Sequence, residues 1–375
     1  MEENNFEENT VNEENINIEN EPSGAKNETD SALSNEPEDS GNTASENYAK
    51  PEKKKPPYVL IGIAAGIVIL FVLSFILIKR WEGSSEFYID TSIDVSTETD
   101  DRVSLLPPEL YKGSDDGETT VVIFGNDTFG DPSGGASVCK LIAANTKATV
   151  YDCTFPGSTM MSSTQKYPAE VNHPEDWYCL YWLWEAVQNG DLSMQHTAME
   201  KMSDRIDTEL YKEHLETLES IDFNNVDVIL FAYDGHDYMA GYPYYLPGDL
   251  YTPHCMNGVL YGIAEKVSAH YPGIQMAFIC PGYFYAKDRT GKTGGANVLK
   301  INGATLSDHI LFMKQKTAEY GFSYVDDYFG VAINEDNWSD YLEENNPVPN
   351  MEGKKMIAAH VLNKVFKRIE PSKKK

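Results

Sequence analysis

Thr119-Thr120-Val121-Val122-Ile123-Phe124-Gly125-Asn126-Asp127-Thr128-Phe129-Gly130 reads as a buried strand that stops at a glycine and opens into a polar turn. The continuous apolar run from Val121 to Phe124 is what a parallel strand covered on both faces requires. Gly125 lets the backbone turn sharply, and Asn126, Asp127 and Thr128 suit a turn leading towards a helix. Open α/β sheets bind ligands just beyond the carboxyl ends of their strands, which places Asn126 and Asp127 at a candidate site. Taken alone, the stretch fits a strand-ending turn without chemistry equally well.

Downstream, apolar runs alternate with helical patterns. Helices are expected at 136–144, 177–187, 194–218, 256–270, 306–320 and 352–367. Strands are expected at 148–151, 226–233, 275–280 and 323–325. The second strand leads into Asp152-Cys153-Thr154-Phe155-Pro156-Gly157-Ser158-Thr159, and the third into Asp234-Gly235-His236-Asp237-Tyr238. A long loop spans 281–303. Such alternation predicts a parallel sheet with helices on both faces, a three-layer α/β/α fold of flavodoxin-like type, with the aromatic insertion at 165–220 beside the sheet.

Upstream the composition changes. Residues 1–49 hold fourteen acidic side chains against the single Lys26. Residues 1–57 are therefore expected to be a disordered acidic tail, a solvated spacer. Residues 58–78 form an uncharged apolar run long enough to cross a bilayer as a helix. Lys50, Lys53, Lys54 and Lys55 precede it, against Lys79 and Arg80 after it. The tail is thus expected in the cytoplasm and the rest outside, making a single-pass membrane protein. Gly62 and Gly66 have the spacing of a helix-dimer face, though small residues are common in spanning helices. Residues 79–118 read as a polar stalk and lead-in, and 119–370 as the exported domain. The net charge of −29 argues against a nucleic-acid partner. The five cysteines show no CxxC spacing, and several lie in apolar runs as small core residues.

Across about 119–367 the chain resembles an SGNH (GDSL-type) hydrolase. Gly125-Asn126-Asp127 stands at that family's Gly-Asp-Ser block, Gly157 at its second block, and Asp234-Gly235-His236-Asp237 at its Gly-x-Asn-Asp block. Asn302-Gly303-Ala304-Thr305-Leu306 and Val325-Asp326-Asp327-Tyr328 resemble further segments of bacterial members. Asn345 to Gly353 stands at the Asp-x-x-His block. The resemblance implies a serine nucleophile, a histidine base oriented by an aspartate, and an oxyanion held by the serine amide, the glycine amide and an asparagine. Here the serine position is Asp127, the asparagine position His236, the acid Asn345 and the base Val348; only Gly157 is kept. A carboxylate where the oxyanion forms opposes acyl transfer by about 4 kcal/mol at an effective dielectric of ~20.

The favoured expectation is therefore a catalytically degenerate binding or scaffold domain. The resemblance implies cell-envelope carbohydrate, acylated ligands or a partner protein as its contacts, with Asp127, Gly157, Ser158, His236 and Tyr238 as ligand-binding residues. A rearranged hydrolase, with His236 as base and Ser158 or Asp127 as nucleophile, is the alternative. A cation held by Asp127, Asp234, His236 and Asp237 is a third. No ligand spacing accompanies those residues, so no metal and no cofactor are expected. His236 could equally be a loop histidine bonded to backbone, and Asp237 matches the family's own aspartate. Tyr178, Tyr181, Trp182 and Trp184 fit core packing better than a sugar groove. Tyr242, Tyr244 and Tyr245 lie in a loop near the expected cleft mouth.

Overall fold

The computed structural model describes residues 66–74, 89, 91, 99–106, 117–130, 136–248 and 250–370. The tail expected at 1–57, and most of the apolar run 58–78 with Gly62, lie outside them. Residues 66–74 are helical, and Ile67, Val68, Ile69, Leu70 and Phe71 are exposed along them. Among the described residues no helix is long and apolar enough to cross a membrane.

Five parallel strands make the main sheet: β1 (Thr120–Gly125), β2 (Thr149–Thr154), β3 (Val228–Ala232), β4 (Gln275–Ile279) and β7 (Ser323–Val325), in the order β2-β1-β3-β4-β7. Two short strands, β5 (Tyr285–Lys287) and β6 (Thr293–Gly295), pair antiparallel inside the loop expected at 281–303. Right-handed crossovers from this order put the helix joining β1 to β2 on one face and the helices joining β2 to β3, β3 to β4 and β4 to β7 on the other. The packing agrees. Val138–Asn145 rests on the terminal helix Met351–Val361, whereas Met256–His270 packs with Leu180–Asn189 and Leu306–Glu319. The three-layer α/β/α arrangement follows.

β1 is buried throughout after its first residue, as its unbroken apolar run requires. Phe124, Phe231 and Phe278 stand in register on adjacent strands and form one aromatic row, with centroids 6.0 and 4.6 Å apart. Trp184 meets Phe124 edge-on at 5.8 Å. The aromatic helix therefore serves the core through Tyr178 and Trp184, and only Tyr181 and Trp182 reach partial exposure. Gly125 closes β1 because a Cβ there would stand 2.4 Å from the Ala232 carbonyl oxygen. Gly125→Ala should cost about 2 kcal/mol through forced strand separation. A urea midpoint equal to that of the wild type would show that β1 and β3 can part there freely.

Several boundaries differ from the sequence reading. The helix expected at 194–218 is two, Ser193–Lys201 and Thr208–Ser220. Asp207 caps the second by accepting from the amides of Glu209 and Leu210. The helix expected at 177–187 starts at Leu180, after a 3-10 turn over Pro174–Tyr178. Residues 99–106, inside the stretch read as stalk, bond to the sheet edge. Arg102 N donates to Tyr324 O at 2.9 Å, and Tyr324 N to Arg102 O at 3.0 Å, in an antiparallel bridge. Ser104 N adds a bond to Ser323 Oγ, and the Arg102 guanidinium reaches Thr317 Oγ1 and Phe322 O. All five cysteines are buried, and Cys139, Cys153, Cys179 and Cys280 are free thiols.

Candidate functional site

β1 and β3 are hydrogen-bonded neighbours ending together at Gly125 and Ala232. The residues that follow them therefore emerge side by side. Asn126 is fully buried and joins the two exits: its Nδ2 donates to Asp234 Oδ1 and to Ser158 O, and its Oδ1 accepts from Asp234 N, each at 3.0 Å. Thr128 donates to Asp234 Oδ2 through its hydroxyl at 2.9 Å and its amide at 3.3 Å. Asp234 is thus fixed from both sides. Its Oδ1 also lies 2.5 Å from His236 Nδ1.

Asp127 opens the one-turn helix Asp127–Gly130. Its Oδ2 accepts a 2.6 Å hydrogen bond from the amide of Gly157, which sits at φ +83° in the turn after β2. The same oxygen lies 3.9 Å from His236 Nδ1. Asp127, Gly157 and His236, expected at one site from three separate blocks, do come together.

Electrostatics follow from this packing. Burial alone lowers the His236 pKa, but the charge and hydrogen bond of Asp234, with Asp127 nearby, raise it to about 9. Burial raises the Asp234 carboxyl, yet the His236 charge and hydrogen bonds and the Thr128 hydroxyl bring it below the ordinary aspartate range. Asp127 is held above that range by burial and by repulsion from Asp234, against the pull of His236 and the Gly157 amide. Asp237 is pushed up to about 7 by burial, although the amides of Met160 and Met161 each donate to it at 2.9 Å. It anchors that backbone turn and does not join the other three.

The remaining expected positions serve structure. Ser158 is buried, and its Oγ has no hydrogen-bond partner, so no imidazole stands within bonding reach of it. Tyr238 is 1 % exposed and donates its hydroxyl to Leu299 O at 2.7 Å. It faces the core, which corrects its assignment as a ligand contact. Asn345 is exposed, takes a left-handed backbone at φ 62°, and ties the loop to the hairpin: its amide donates to Tyr285 O and its Oδ1 accepts from Lys287 N. Val348 is half-buried, with its amide given to Asn346 Oδ1. Its neighbours Pro347 and Pro349 line a cavity of about 30 Å³ with Thr128, Phe129, Asp234 and Leu342. That volume holds roughly one water and no acyl chain. Tyr242 and Tyr244 are half-buried against the core, and Tyr245 alone of the three is largely exposed.

The sequence reading missed the part played by Thr128 and cast Asp234 only as a metal ligand. The signal for Asp234 was its spacing of two from His236, which lets a carboxylate at a strand exit meet an imidazole in the first turn of the next helix. Chemically, the arrangement is an Asp–His pair beside a second carboxylate that already holds a backbone amide, with no nucleophilic hydroxyl bonded to the imidazole.

No family model and no curated protein sequence matches the chain. Among solved structures, it is similar to a protein from Lactobacillus plantarum at 16 % identity and TM-score 0.46, over 67 % of this chain and 98 % of that one. It is also similar to a structure described as a possible lipase from Chitinophaga pinensis (15 %, TM-score 0.38, 67 % and 98 %) and to the lipase/acylhydrolase from Enterococcus faecalis (12 %, TM-score 0.36, 68 % and 99 %).

Proposed function

We propose that this chain is a membrane-anchored SGNH-hydrolase-like protein whose folded domain binds a ligand or partner at the β1–β3 exits without cleaving esters. One observation carries the reading: the Gly157 amide, at the position of the oxyanion donor in active relatives, donates to the carboxylate of Asp127. A donor already engaged by a fixed anion cannot also stabilise charge that develops in a transition state. The unpartnered Ser158 hydroxyl supports the same reading, because a serine without a bonded base is a weak nucleophile.

Anchoring rests on the uncharged run 58–78 and on the exposed apolar side chains of the helical residues 66–74. The basic cluster before that run favours a cytoplasmic amino end and an extracytoplasmic domain. Envelope carbohydrate, acylated molecules or a partner protein are the ligand classes that the resemblance suggests. The water-sized cavity favours contact at the crevice mouth over insertion of an acyl chain.

The test is turnover of chromogenic short-chain esters by the purified full-length chain. The expected result is no rate above that of buffer, for the wild type and for Asp127→Ser alike, since Val348 supplies no base to a restored serine. Turnover that vanishes in His236→Ala would instead establish a working enzyme with rearranged residues.

A further inference from the structure

We propose that Asp127, Asp234 and His236 form a binding site for one first-row divalent cation. One carboxylate oxygen from each aspartate and a ring nitrogen of the histidine lie within 4.8 Å of one another. These donors come from two adjacent strand exits and the start of a helix, elements that the sheet holds rigidly.

The surrounding bonds are those that orient metal ligands. Asn126 and Thr128 fix Asp234, and the Gly157 amide fixes Asp127, so neither carboxylate must be ordered at the moment of binding. The charge balance points the same way. Two largely buried carboxylates face one imidazole, and among the described residues no lysine or arginine pairs with either. A divalent ion would occupy the place of the proton between His236 Nδ1 and Asp234 Oδ1, and the imidazole, partly exposed, would swing outwards by a fraction of an ångström to admit it.

Two carboxylates with one imidazole suit manganese, iron, cobalt or zinc better than calcium or magnesium, which prefer oxygen alone. Three protein donors also leave coordination positions open to an oxygen atom of a bound molecule. Asp237 stands outside this group of mutually close donors, and its oxygens hold the Met160 and Met161 amides instead.

The experiment is titration of the chelator-treated full-length chain with Zn²⁺ by calorimetry, and with Co²⁺ by visible absorption. One equivalent should bind, with at least tenfold weaker affinity in Asp127→Asn and in His236→Ala, and with the Co²⁺ bands altered in the latter. His173→Ala and His196→Ala, which remove exposed His–Glu pairs, should bind as the wild type does. Asp127→Ser, checked for native circular dichroism, guards against misfolding of the asparagine variant. No saturable binding at millimolar metal, or equal binding in the folded Asp127 and His236 variants, would overturn the proposal. The readout is binding and not turnover, so this site and the silent-domain reading can fail independently.

Discussion

His360→Ala lowers the unfolding free energy by about 3–5 kcal/mol, the range expected when one partner of a buried ion cluster is removed. His360 lies on the inner face of the terminal helix, with Nδ1 2.7 Å from Asp327 Oδ1 and Nε2 3.3 Å from Asp101 Oδ2; all three side chains are almost wholly buried. Lys364 reaches Asp101 at 3.1 Å, so in the variant Asp101 keeps a partner and Asp327 does not. The imidazole also packs against Gly330, where a Cβ would stand 2.3 Å from the ring, so its loss opens a void as well.

The same cluster sets a pH dependence. Burial lowers the His360 pKa, but its bonds to Asp101 and Asp327 raise it from 6.5 to about 9. A histidine whose folded pKa is raised contributes stability that is complete below its unfolded value and disappears as the pH climbs through the folded one. Asp327, pushed up to about 6 by burial against the pull of His360, and Asp101, held far below the carboxylate range by His360 and the Asp326 amide once burial is overcome, both titrate at lower pH. His360 should therefore contribute a fall in stability of about 2–3 kcal/mol between pH 7 and 10, at ~1.4 kcal/mol per unit. Urea unfolding at those pH values should show a fall in His360→Ala that is shallower than the wild-type fall by that amount, the remainder coming from His236, whose pKa is raised likewise; parallel slopes would refute the assignment.

Asn126→Ala is expected to cost about 2–4 kcal/mol, because it strands the Ser158 carbonyl and the Asp234 amide in the interior and removes one donor from the Asp234 carboxylate, which keeps His236 and Thr128. Asn126→Asp keeps the shape but turns a donor into a third carboxylate facing Asp234, so it should be no better than alanine. If the aspartate variant unfolds at the wild-type urea midpoint, the amide is not what joins the two strand exits.

The frame was legible because its signals are local. An unbroken Val-Val-Ile-Phe run followed by glycine could hardly be anything but an interior strand, and the expectation that Asp127, Gly157 and His236 share one site came from the resemblance of their three blocks to those of SGNH hydrolases. What stayed hidden depended on contacts distant in sequence. His360 reads as one more residue of an amphipathic helix until Asp101, 259 positions earlier, is seen beside it. Asp101 itself sits in a polar stretch whose composition suits a stalk, and only pairing with β7 shows that its neighbours belong to a sheet. The break near Asp207 was masked because apolar residues keep a helical period on both sides of it. Tyr238 followed the third block closely enough to look like a crevice residue, whereas one turn of helix rotates it into the core.

Arg102, clasped against Tyr324, gives the domain a defined point of attachment. Any tension drawn through the chain ahead of residue 99 would load the β7 edge lengthwise. The Arg102, Ser104 and Asp101 contacts would share that load in parallel instead of breaking one after another. β3 lies two strands and β1 three strands inward from that margin, so Asp127, Asp234 and His236 would stand apart from the strain.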